Sequence, residues 1–447
     1  MSSTYENANK NNITVIDAPC GTGKTSWAIQ EINSHPDQPY IYCTPLLDEI
    51  NRVKEACRGS SFKEPMPYGQ SKLDSFNELL SKGENIAVTH VTFLNATQET
   101  LNLIRESGYT LILDEELDVV TTFNSVQTVE SSPRQVMTDK DIETLIDHKI
   151  ISIGEDYKVS WQGKEYGQKS KFSEVERFAK LGRLYCVSNT LLVTVFPPEM
   201  FQLFDNVFVL TYLFSGLSLS SYFRLFNLNY SMASVHLNDD GLYSVIDYLP
   251  DADIAFRQCC KELIDICDTP NINRSRRALT KNWYDHASQE DLTQLKNDLG
   301  NYFRYYQKGC KGADIMWTCP KGFDGKLKGS GYTRACKPKA EWSSLPERER
   351  EQRERESLCF VPCNAKATNI YRSRSVLAYC CNIFQHPYIE RFFTHNGIAA
   401  PDKDMFSLSC LIQWICRSRL RDGLPVSIYI PSSRIRNLLI DYMECKI

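Results

Sequence analysis

The sequence predicts an α/β protein built from two parallel-sheet domains. Short runs rich in β-branched residues alternate with longer stretches whose apolar residues recur every three or four positions, the pattern of strands and amphipathic helices. Polar residues end these runs, as they do where an open α/β sheet binds its ligands. The chain has 447 residues, about three times the usual length of one domain, so we expect more than one hydrophobic core.

Five apolar runs in the first half are predicted as strands, because each is bounded by loop residues and followed by a helical pattern. They are Ile13–Asp17, Tyr40–Thr44, Ile86–Thr89, Thr110–Asp114 and Val207–Thr211. Strands that alternate with helices pair in parallel, since each helix returns the chain to the same end of the sheet. A first domain is therefore expected over residues 1–221.

The strand–helix alternation lapses inside this first domain. Residues at about 119–205 contain a hairpin-like segment, Ile150–Trp161, and a charged helical stretch, Lys171–Lys180. We interpret this part as an inserted α+β segment. The uncharged run Asn206–Phe223 includes Asn, Thr, Gly and Ser residues, and its flanks predict a buried strand followed by a loop rather than a membrane span.

A second domain is expected over residues 222–447. It starts with hairpin-like strands and a helix over Asp251–Asp268, followed by a polar and basic insertion at about 270–357. The insertion ends in the charge run Glu347–Glu356, which predicts a solvated helix or a loose linker. From Leu358 we expect a strand in the sequence CFVPC, helices around Val376–Ile383 and over Ser407–Arg421, a strand over Val426–Ile430, and a last helix capped by Ser432 or Ser433.

Composition limits the functions that the chain can have. Lys and Arg number 51 against 55 Asp and Glu, for a net charge of −4, so a nucleic-acid site must be a local groove rather than the whole surface. The first residues show no basic stretch followed by an apolar core, so we expect no signal peptide and a cytoplasmic location, the host cytoplasm if the protein is viral. The 17 cysteines are then reduced thiols. Cys310, Cys319 and Cys336 match no regular C-x-x-C spacing, which disfavours a zinc site.

The sequence ITVIDAPCGTGKTSWAIQ has the spacing of a phosphate-binding loop, with alanine where glycine usually stands first. It follows a strand and opens a helix, which is the context that such a loop needs. Glycines let the backbone wrap phosphate with successive N–H groups, and the lysine adds a positive charge near the terminal phosphates. The candidate nucleotide-binding residues are Ala18, Cys20, Gly21, Thr22, Gly23, Lys24 and Thr25, with the Thr25 hydroxyl expected to hold Mg²⁺.

The sequence YTLILDEELDVV is an apolar strand that ends in two carboxylates, Asp114 and Glu115. Packing gives a buried strand no reason to end in adjacent acids. We expect Asp114 to hold the water shell of Mg²⁺ and Glu115 to orient and deprotonate the attacking water, which is the division of roles that phosphoryl transfer requires.

In the order of these motifs the chain resembles the DEAD/DEAH-box helicases of superfamily 2, and in particular the compact helicases that bacteriophages encode. The resemblance extends from about Ile13 to the C-terminus. The phosphate loop resembles motif I, and DEEL at Asp114–Leu117 resembles motif II. Further segments resemble motif Ia at Thr44 and Pro45, the strand-end motif that contacts the nucleic-acid backbone at Thr89 and His90, and motif III at Val209–Tyr212, with Thr211 as its hydroxyl.

Two segments of the second half resemble the remaining helicase motifs. CNAKATNIY at Cys363–Tyr371, with Thr368 and Asn369, resembles motif V. QWICRSRLRDG resembles motif VI, which in such helicases supplies arginine fingers to ATP; the corresponding residues are Gln413, Arg417 and Arg421. On a continuous helix these three lie at four-residue steps on one face, away from the apolar stripe of Leu408, Leu411, Ile412 and Ile415.

The resemblance implies a P-loop NTPase made of two RecA-like domains, with ATP and Mg²⁺ in the cleft between them. Hydrolysis would drive movement along nucleic acid, with DNA favoured over RNA, and the backbone contacts would come from Thr44, Pro45, Thr89, His90, Thr368 and Asn369. Replication or packaging proteins would be the protein partners. Three departures stand out. Motif VI usually spaces its arginines three apart, whereas here Leu420 stands three residues after Arg417; Arg419 and Arg421 are the candidates for the second arginine, and Arg417 with Arg421 is the favoured pair. Motif II ends in Glu116 and Leu117, so its last residue cannot make the usual polar link to the second domain, and no adenine-reading glutamine motif precedes the loop.

Two alternatives share the phosphate loop. A DNA-packaging motor would couple it to a C-terminal nuclease, but this C-terminus offers glutamine and arginine on a predicted helix instead of clustered carboxylates. A non-catalytic ATP-binding switch or scaffold would explain the unusual end of motif II, whereas the intact Lys24 and Glu115 argue against it.

Overall fold

The computed structural model describes residues 12–67, 71–123, 138–164, 170, 172–188, 191–268, 273, 275–364 and 370–447. Within these residues the strands are β1 Ile13–Asp17, β2 Tyr40–Thr44, β3 Ile86–Thr89, β4 Thr110–Asp114, β5 Val120–Thr122, β6 Ile151–Ile153, β7 Val159–Trp161, β8 Leu184–Val187, β9 Leu191–Val195, β10 Asn206–Thr211, β11 Tyr230–Leu237, β12 Tyr243–Asp247, β13 Ile264–Ile266, β14 Ile315–Thr318, β15 Val376–Tyr379 and β16 Val426–Tyr429.

The helices of the same described ranges are α1 Lys24–Ser34, α2 Leu47–Ala56, α3 Lys72–Ser81, α4 His90–Leu94, α5 Gln98–Ser107, α6 Asp139–Asp147, α7 Ser173–Lys180, α8 Ser218–Leu225, α9 Pro250–Leu263, α10 Lys281–His286, α11 Gln289–Asn301, α12 Asp324–Leu327, α13 Glu347–Glu356, α14 Pro387–His395, α15 Lys403–Ile415 and α16 Ser433–Met443.

The chain divides into two compact units. The first contains the chain up to Ala18, Gly23–Tyr248 and Gln385–Asp402, and the second contains Pro19–Thr22, Leu249–Phe384 and Lys403–Ile447. The main boundary lies between residues 248 and 249, downstream of the expected 221/222. It lies there because β11 pairs with β1 and therefore belongs to the first sheet.

A seven-stranded sheet forms the centre of the first unit, in the order β12-β11-β1-β10-β4-β2-β3. The five strands predicted from the first half all form, and they pair in parallel as expected. Only β12 runs antiparallel to its neighbour. The carboxyl ends of the parallel strands therefore meet at one edge of the sheet, where Asp17, Thr211 and Asp114 are the last strand residues.

Both faces of this sheet are buried, because side chains alternate between two apolar clusters. One cluster includes Val15, Leu113 and Val209. The other includes Ile16 and Ile112, together with buried residues of α1 and α2. Burial on both faces explains why these strands are nearly continuous apolar runs.

The inserted segment forms its own small core. Strands β6 and β7 make the expected hairpin, and β5, β9 and β8 form a three-stranded antiparallel sheet. The side chain of Arg183 is 6% exposed and donates to the carbonyl oxygens of Leu94 at 2.6 Å and Ala96 at 3.1 Å, and to that of Val195 at 3.4 Å. A buried guanidinium thus ties the start of β8 to the chain that follows α4.

The second unit is built around a parallel four-stranded sheet in the order β13-β16-β15-β14. Two predictions for this part are wrong. Val376–Tyr379 is a central strand rather than the start of a helix, and CFVPC makes isolated bridges, such as Trp317 to Phe360, instead of a full strand. A buried parallel strand and a buried helix present the same unbroken apolar run, so periodicity does not separate them.

The aromatic residues of the basic region in the second unit are core residues. Trp317, Tyr332 and Phe323 are 1%, 2% and 8% exposed and lie in one apolar cluster. In the sequence these rings are interleaved with lysines, a pattern that predicts either a nucleic-acid-binding loop or a solvated loop. Because the rings are buried, they provide no stacking surface for nucleic acid in this structure. The charge run Glu347–Glu356 forms a helix, the first of the two predicted alternatives.

Arg183 gives a test of the packing of the inserted segment. Replacing it with methionine keeps much of the volume but leaves buried carbonyl oxygens without donors, so we expect Arg183→Met to lower the free energy of unfolding by about 2–4 kcal/mol. Urea denaturation followed by far-UV circular dichroism measures the change. Arg177→Met, which removes an exposed arginine paired with Glu174, is the control and should cost less than about 1 kcal/mol. Equal effects of the two variants would contradict this account.

Candidate functional site

The phosphate-loop sequence forms the turn between β1 and α1. The backbone N–H of Ala18 donates to the carbonyl of Thr211 at 3.1 Å, which anchors the start of the loop to β10. Gly21 and Gly23 have φ angles of 85° and 98°, a left-handed conformation that favours glycine. Gly23 precedes the helix as its N-cap. Backbone N–H groups in the first turn of a helix point toward its N-terminus, where the helix dipole favours an anion.

The side chain of Lys24 lies across this loop. Its Nζ donates to the carbonyl oxygen of Ala18, and the Thr22 hydroxyl donates to the carbonyl of Pro19 at 2.9 Å. These two bonds hold the positive charge of Lys24 against one short glycine-containing turn, which is the chemistry that a phosphate group needs.

Asp114 ends the strand β4 on the same face of the sheet as Tyr42. Its side chain is 6% exposed and accepts a hydrogen bond from the Tyr42 hydroxyl at 2.7 Å. Burial raises the pKa of Asp114 to about 7, and the charges of Glu115 and Glu49 add to this effect. The Tyr42 hydrogen bond and the charge of Lys24 act in the opposite direction, since both favour the carboxylate. A cation near this carboxylate would relieve its burial cost.

Glu115 follows Asp114 in a left-handed conformation, with a φ of 70°. Its backbone N–H donates to the carbonyl of Leu210 at 3.0 Å, so the neighbouring strand fixes the turn. A non-glycine residue at positive φ costs free energy, and such strain is concentrated at functional sites. The backbone of Glu115 is therefore fixed directly after Asp114, and its side chain is half-buried.

Two strand-end threonines of the seven-stranded sheet have buried hydroxyls that find no hydrogen-bond partner within the described part of the chain. They are Thr44, at the end of β2, and Thr211, at the end of β10. The side chain of Asp17 accepts a hydrogen bond from the backbone N–H of Phe214 at 3.2 Å. Leu213, which lies between Thr211 and Phe214 in the chain, has a φ of 58°. The resemblance to motif III therefore falls on a tight turn at the ligand-binding edge of the sheet.

The expected nucleic-acid contacts of the first unit differ in their surroundings. Thr89 caps α4 and accepts from the N–H of Thr92, and Pro45 is half-buried after β2. His90 is 6% exposed, and its Nε2 lies 3.1 Å from the carbonyl oxygen of Asp114. Its side chain is therefore buried and supports the acidic strand end, and the nucleic-acid contact of His90 stays a prediction.

The last residues of the motif II segment have structural roles. Leu117 is fully buried in the main core, and Glu116 accepts from the N–H of Leu219 at 3.4 Å, in the first turn of α8. Gln385 donates to the Ser218 hydroxyl at 2.9 Å in the same turn. The unusual tail of motif II is thus accounted for by packing and capping inside the first unit.

The residues that resemble motif VI do not share one helical face. Helix α15 ends at Ile415, so Gln413 lies on it, whereas Arg417 follows in a turn and Arg421 lies in a short 3₁₀ segment. Arg417 is 7% exposed and Arg421 is exposed. The continuous helix expected over Ser407–Arg421 is therefore wrong. Thr368 and Asn369 lie outside the described residues.

Arg417 lies near the segment that resembles motif V. A hydrogen bond from the Cys381 thiol lowers the pKa of Cys363 to about 7, and the positive charge of Arg417 contributes in the same direction. Cys380 and Cys381 follow strand β15, so they do not lie in the helix predicted around Val376–Ile383; both are buried.

Sequence reasoning missed three side chains around the site: Tyr42, Glu49 and Tyr243. The register of β2 and β4 pairs Tyr42 with Ile112, so Tyr42 and Asp114 share a face, but that pairing is not visible in the sequence. Glu49 is 7% exposed on α2. Tyr243 lies in a strand that the sequence analysis assigned to the second domain.

The described residues contain no group of three or more His, Cys, Asp or Glu side chains that could hold a metal ion. Across those same ranges, no helix combines the length and the apolar character needed to cross a membrane.

Comparison with solved structures identifies the fold. A structure of XPD in its apo form matches with a TM-score of 0.53 and 13% identity, over 98% of this chain and 96% of that chain. A structure of the XPD helicase matches with a TM-score of 0.50 and 11% identity, over 98% and 95%. At such identities the likeness concerns the fold, which is helicase-like and has two RecA-like domains, as the sequence predicted.

Comparison by sequence identifies the family. Residues 258–443 match the family described as the YonV C-terminal Rossmann-like domain. The chain is also 32% identical over 446 residues to the SPbeta prophage-derived uncharacterized protein YonV of Bacillus subtilis strain 168, with 97% of this chain and 98% of that protein covered. The chain belongs to the YonV family.

Proposed function

We propose that this protein is an ATP-dependent helicase or translocase that hydrolyses Mg-ATP to move along nucleic acid. One observation carries the proposal. A phosphate loop and an acidic strand end lie at the same edge of one parallel sheet, separated by the single strand β10, in a chain whose fold is helicase-like. A domain that only positions a nucleotide needs the loop but has no use for the second feature.

The residues at this edge fit a magnesium ion and a nucleotide. Mg²⁺ keeps several waters and is usually held by one or two carboxylates together with substrate phosphates, so it needs no complete cage of protein ligands. Asp114 is a buried carboxylate whose pKa is raised to about 7, which an adjacent cation would lower. The Thr25 hydroxyl, in the first turn of α1, is the second protein group that would hold the ion.

Each residue then has a defined role in hydrolysis. The N–H groups of the loop from Ala18 to Gly23 hold the phosphates, and Lys24 neutralises the terminal ones. The Glu115 carboxylate orients the attacking water and accepts its proton. The ion, when bound, neutralises charge that develops on the phosphate oxygens. Tyr42 and His90 hold Asp114 in place through its side chain and its carbonyl, respectively.

Three residues of the second unit are proposed to sense the nucleotide: Gln413, Arg417 and Arg421. Arg421 is the better candidate for the arginine finger because its side chain is exposed, which suits a contact that forms and breaks in each cycle. Arg417 is buried and its charge acts on Cys363, so we propose that it senses the nucleotide indirectly, through the motif V segment.

We propose that the nucleic-acid backbone is contacted by Thr44, Pro45 and Thr89 in the first unit and by Thr368 and Asn369 in the second. DNA is the favoured polymer, and replication or packaging proteins are the proposed partners. His90 remains a predicted contact as well; its imidazole is buried, as is the side chain of Thr44, and its Nε2 lies against the carbonyl oxygen of Asp114.

Steady-state Mg-ATP hydrolysis tests the proposed activity. We expect strong stimulation by one of three polymers: single-stranded DNA, duplex DNA or single-stranded RNA. Lys24→Ala should lower kcat/KM at least about 100-fold through loss of charge at the phosphates. Glu115→Gln should lower kcat by a similar factor while ATP binding is kept, since a neutral amide accepts no proton.

Lys82→Ala is the matched control, since Lys82 is an exposed lysine paired with Glu78; its activity should equal that of the unaltered protein. Hydrolysis that no polymer stimulates would rule out the motor and favour a protein-driven packaging ATPase. ATP binding without hydrolysis, unchanged by Glu115→Gln, would indicate a switch or scaffold.

Tyr42 provides a test through pH dependence. Its hydrogen bond lowers the pKa of Asp114, and the ionised carboxylate is the form that holds Mg²⁺. Tyr42→Phe should therefore move the acidic limb of the kcat/KM profile to higher pH, by roughly half a unit or more. Tyr40→Phe, at a buried tyrosine of the same strand, is the control. A limb that moves to lower pH, or moves equally in both variants, would contradict the role of Tyr42.

Asp114 also gives a test that does not depend on catalysis. The pKa of Asp114 is about 7 in the folded protein, against an ordinary value of 3.8 for an aspartate side chain, so without nucleotide the folded state loses stability as pH rises from about 4 to 7. Asp114→Asn should raise the free energy of unfolding by roughly 1–3 kcal/mol above pH 7 and by little near pH 4. Chemical denaturation at several pH values measures this. The exposed Asp118 supplies the control variant Asp118→Asn. If both variants changed the free energy of unfolding equally at every pH, the raised pKa of Asp114 would be contradicted.

A further inference from the structure

The geometry of the first sheet restricts where the base of a bound nucleotide can lie. In the order β12-β11-β1-β10-β4, the phosphate loop follows β1 and the acidic strand end lies two strands away on one side. A terminal phosphate that faces Asp114 and Glu115 directs the opposite end of the nucleotide away from β4. That side of the loop is formed by β11 and β12.

The first residue of β12 lies directly on the phosphate loop. A β-carbon placed on Gly23 would be 2.0 Å from Cε1 of Tyr243, 2.5 Å from Cζ and 2.7 Å from Cδ1. These are three consecutive atoms of the ring, so one edge of the Tyr243 ring rests against the glycine that precedes Lys24. The side chain is half-buried and adjoins the cluster that includes Ile16 and Trp27.

A glutamine on the helix of the loop fixes this tyrosine. The Gln30 Oε1 accepts from the backbone N–H of Tyr243 at 2.9 Å, and Nε2 donates to its carbonyl at 2.8 Å. Two complementary hydrogen bonds from one side chain to the backbone of one residue determine both position and orientation. The start of β12 is therefore fastened to α1, two turns beyond the phosphate loop.

We propose that Tyr243 is the base-contacting residue of the nucleotide site, where its ring packs against the nucleobase of a nucleoside triphosphate, and that Gln30 is its positioning residue. This inference rests on the proposed function, because it requires a nucleotide in the phosphate loop. No adenine-reading motif precedes that loop in the sequence, so recognition of the base has to come from elsewhere. Ring packing accepts any flat base, which predicts ATP and GTP affinities within a few-fold of each other.

Comparison of ATP with inorganic triphosphate separates the base from the phosphates. Calorimetric titration of the full-length chain with each ligand in Mg²⁺ is expected to show that Tyr243→Ala weakens ATP binding about 10-fold and leaves triphosphate binding unchanged. Tyr243→Phe should bind ATP as the unaltered chain does. Gln30→Ala should weaken ATP binding in the same selective way, whereas Tyr248→Ala, which removes an exposed ring just beyond β12, should not.

Each other outcome overturns the assignment in a distinct way. Equal losses of ATP and triphosphate binding in Tyr243→Ala would show that the tyrosine only shapes the loop. Unchanged ATP binding would place the base elsewhere while leaving the proposed ATPase intact. Lys24→Ala is expected to bind neither ligand. If the unaltered chain also bound neither, the proposed function itself would fail together with this inference.

Discussion

The last two carbonyl groups of β10 hold the candidate site together. Thr211 accepts from the N–H of Ala18, where the phosphate loop starts, and Leu210 accepts from the N–H of Glu115, where the acidic turn starts. One strand end therefore sets the position of two loops that arrive from opposite sides. Because backbone pairing rather than side-chain contact fixes this spacing, the distance between phosphate loop and carboxylates is a property of the sheet. Loops elsewhere in the chain can vary without disturbing it.

The buried negative charge of Asp114 at this edge of the sheet lowers the stability of the folded protein. Asp114 is buried beside two other carboxylates, Glu115 and Glu49, and only the Tyr42 hydroxyl and the charge of Lys24 oppose the resulting rise in its pKa. A protein selected for stability alone would place an amide or an apolar residue there. Buried carboxylates whose pKa values are raised toward neutrality are instead typical of functional sites. The electrostatics and the strained φ of Glu115 therefore support the same interpretation by independent routes.

Much of the first sheet and its ligand-binding edge could be predicted from sequence, because parallel strands buried on both faces are short apolar runs that end in polar residues. The strand bounds at Ile13–Asp17 and Thr110–Asp114 agree with the structure to the residue. Prediction failed where tertiary packing decides. The apolar run at Val376–Tyr379 is compatible with a buried helix and with a buried strand. Helix α15 ends at Ile415, so Arg417 and Arg421 lie outside the helix on which they were predicted. The contact between Tyr42 and Asp114 depends on strand register, which sequence spacing does not encode.

Strands β11 and β12 lie beside β1, the strand that carries the phosphate loop, because the backbone groups on that edge of β1 require pairing. An open edge on β1 would expose unpaired backbone groups next to the site, and β11 covers that edge by pairing in parallel from Ile13 to Ile16. The next strand then has to return antiparallel, which brings its first residue, Tyr243, back to the carboxyl end of the sheet. A single hairpin thus completes the sheet and places an aromatic ring on Gly23. Pairing to β1 is also why the chain from Tyr230 to Asp247 belongs with the first unit, although its hairpin pattern suggested the start of the second domain.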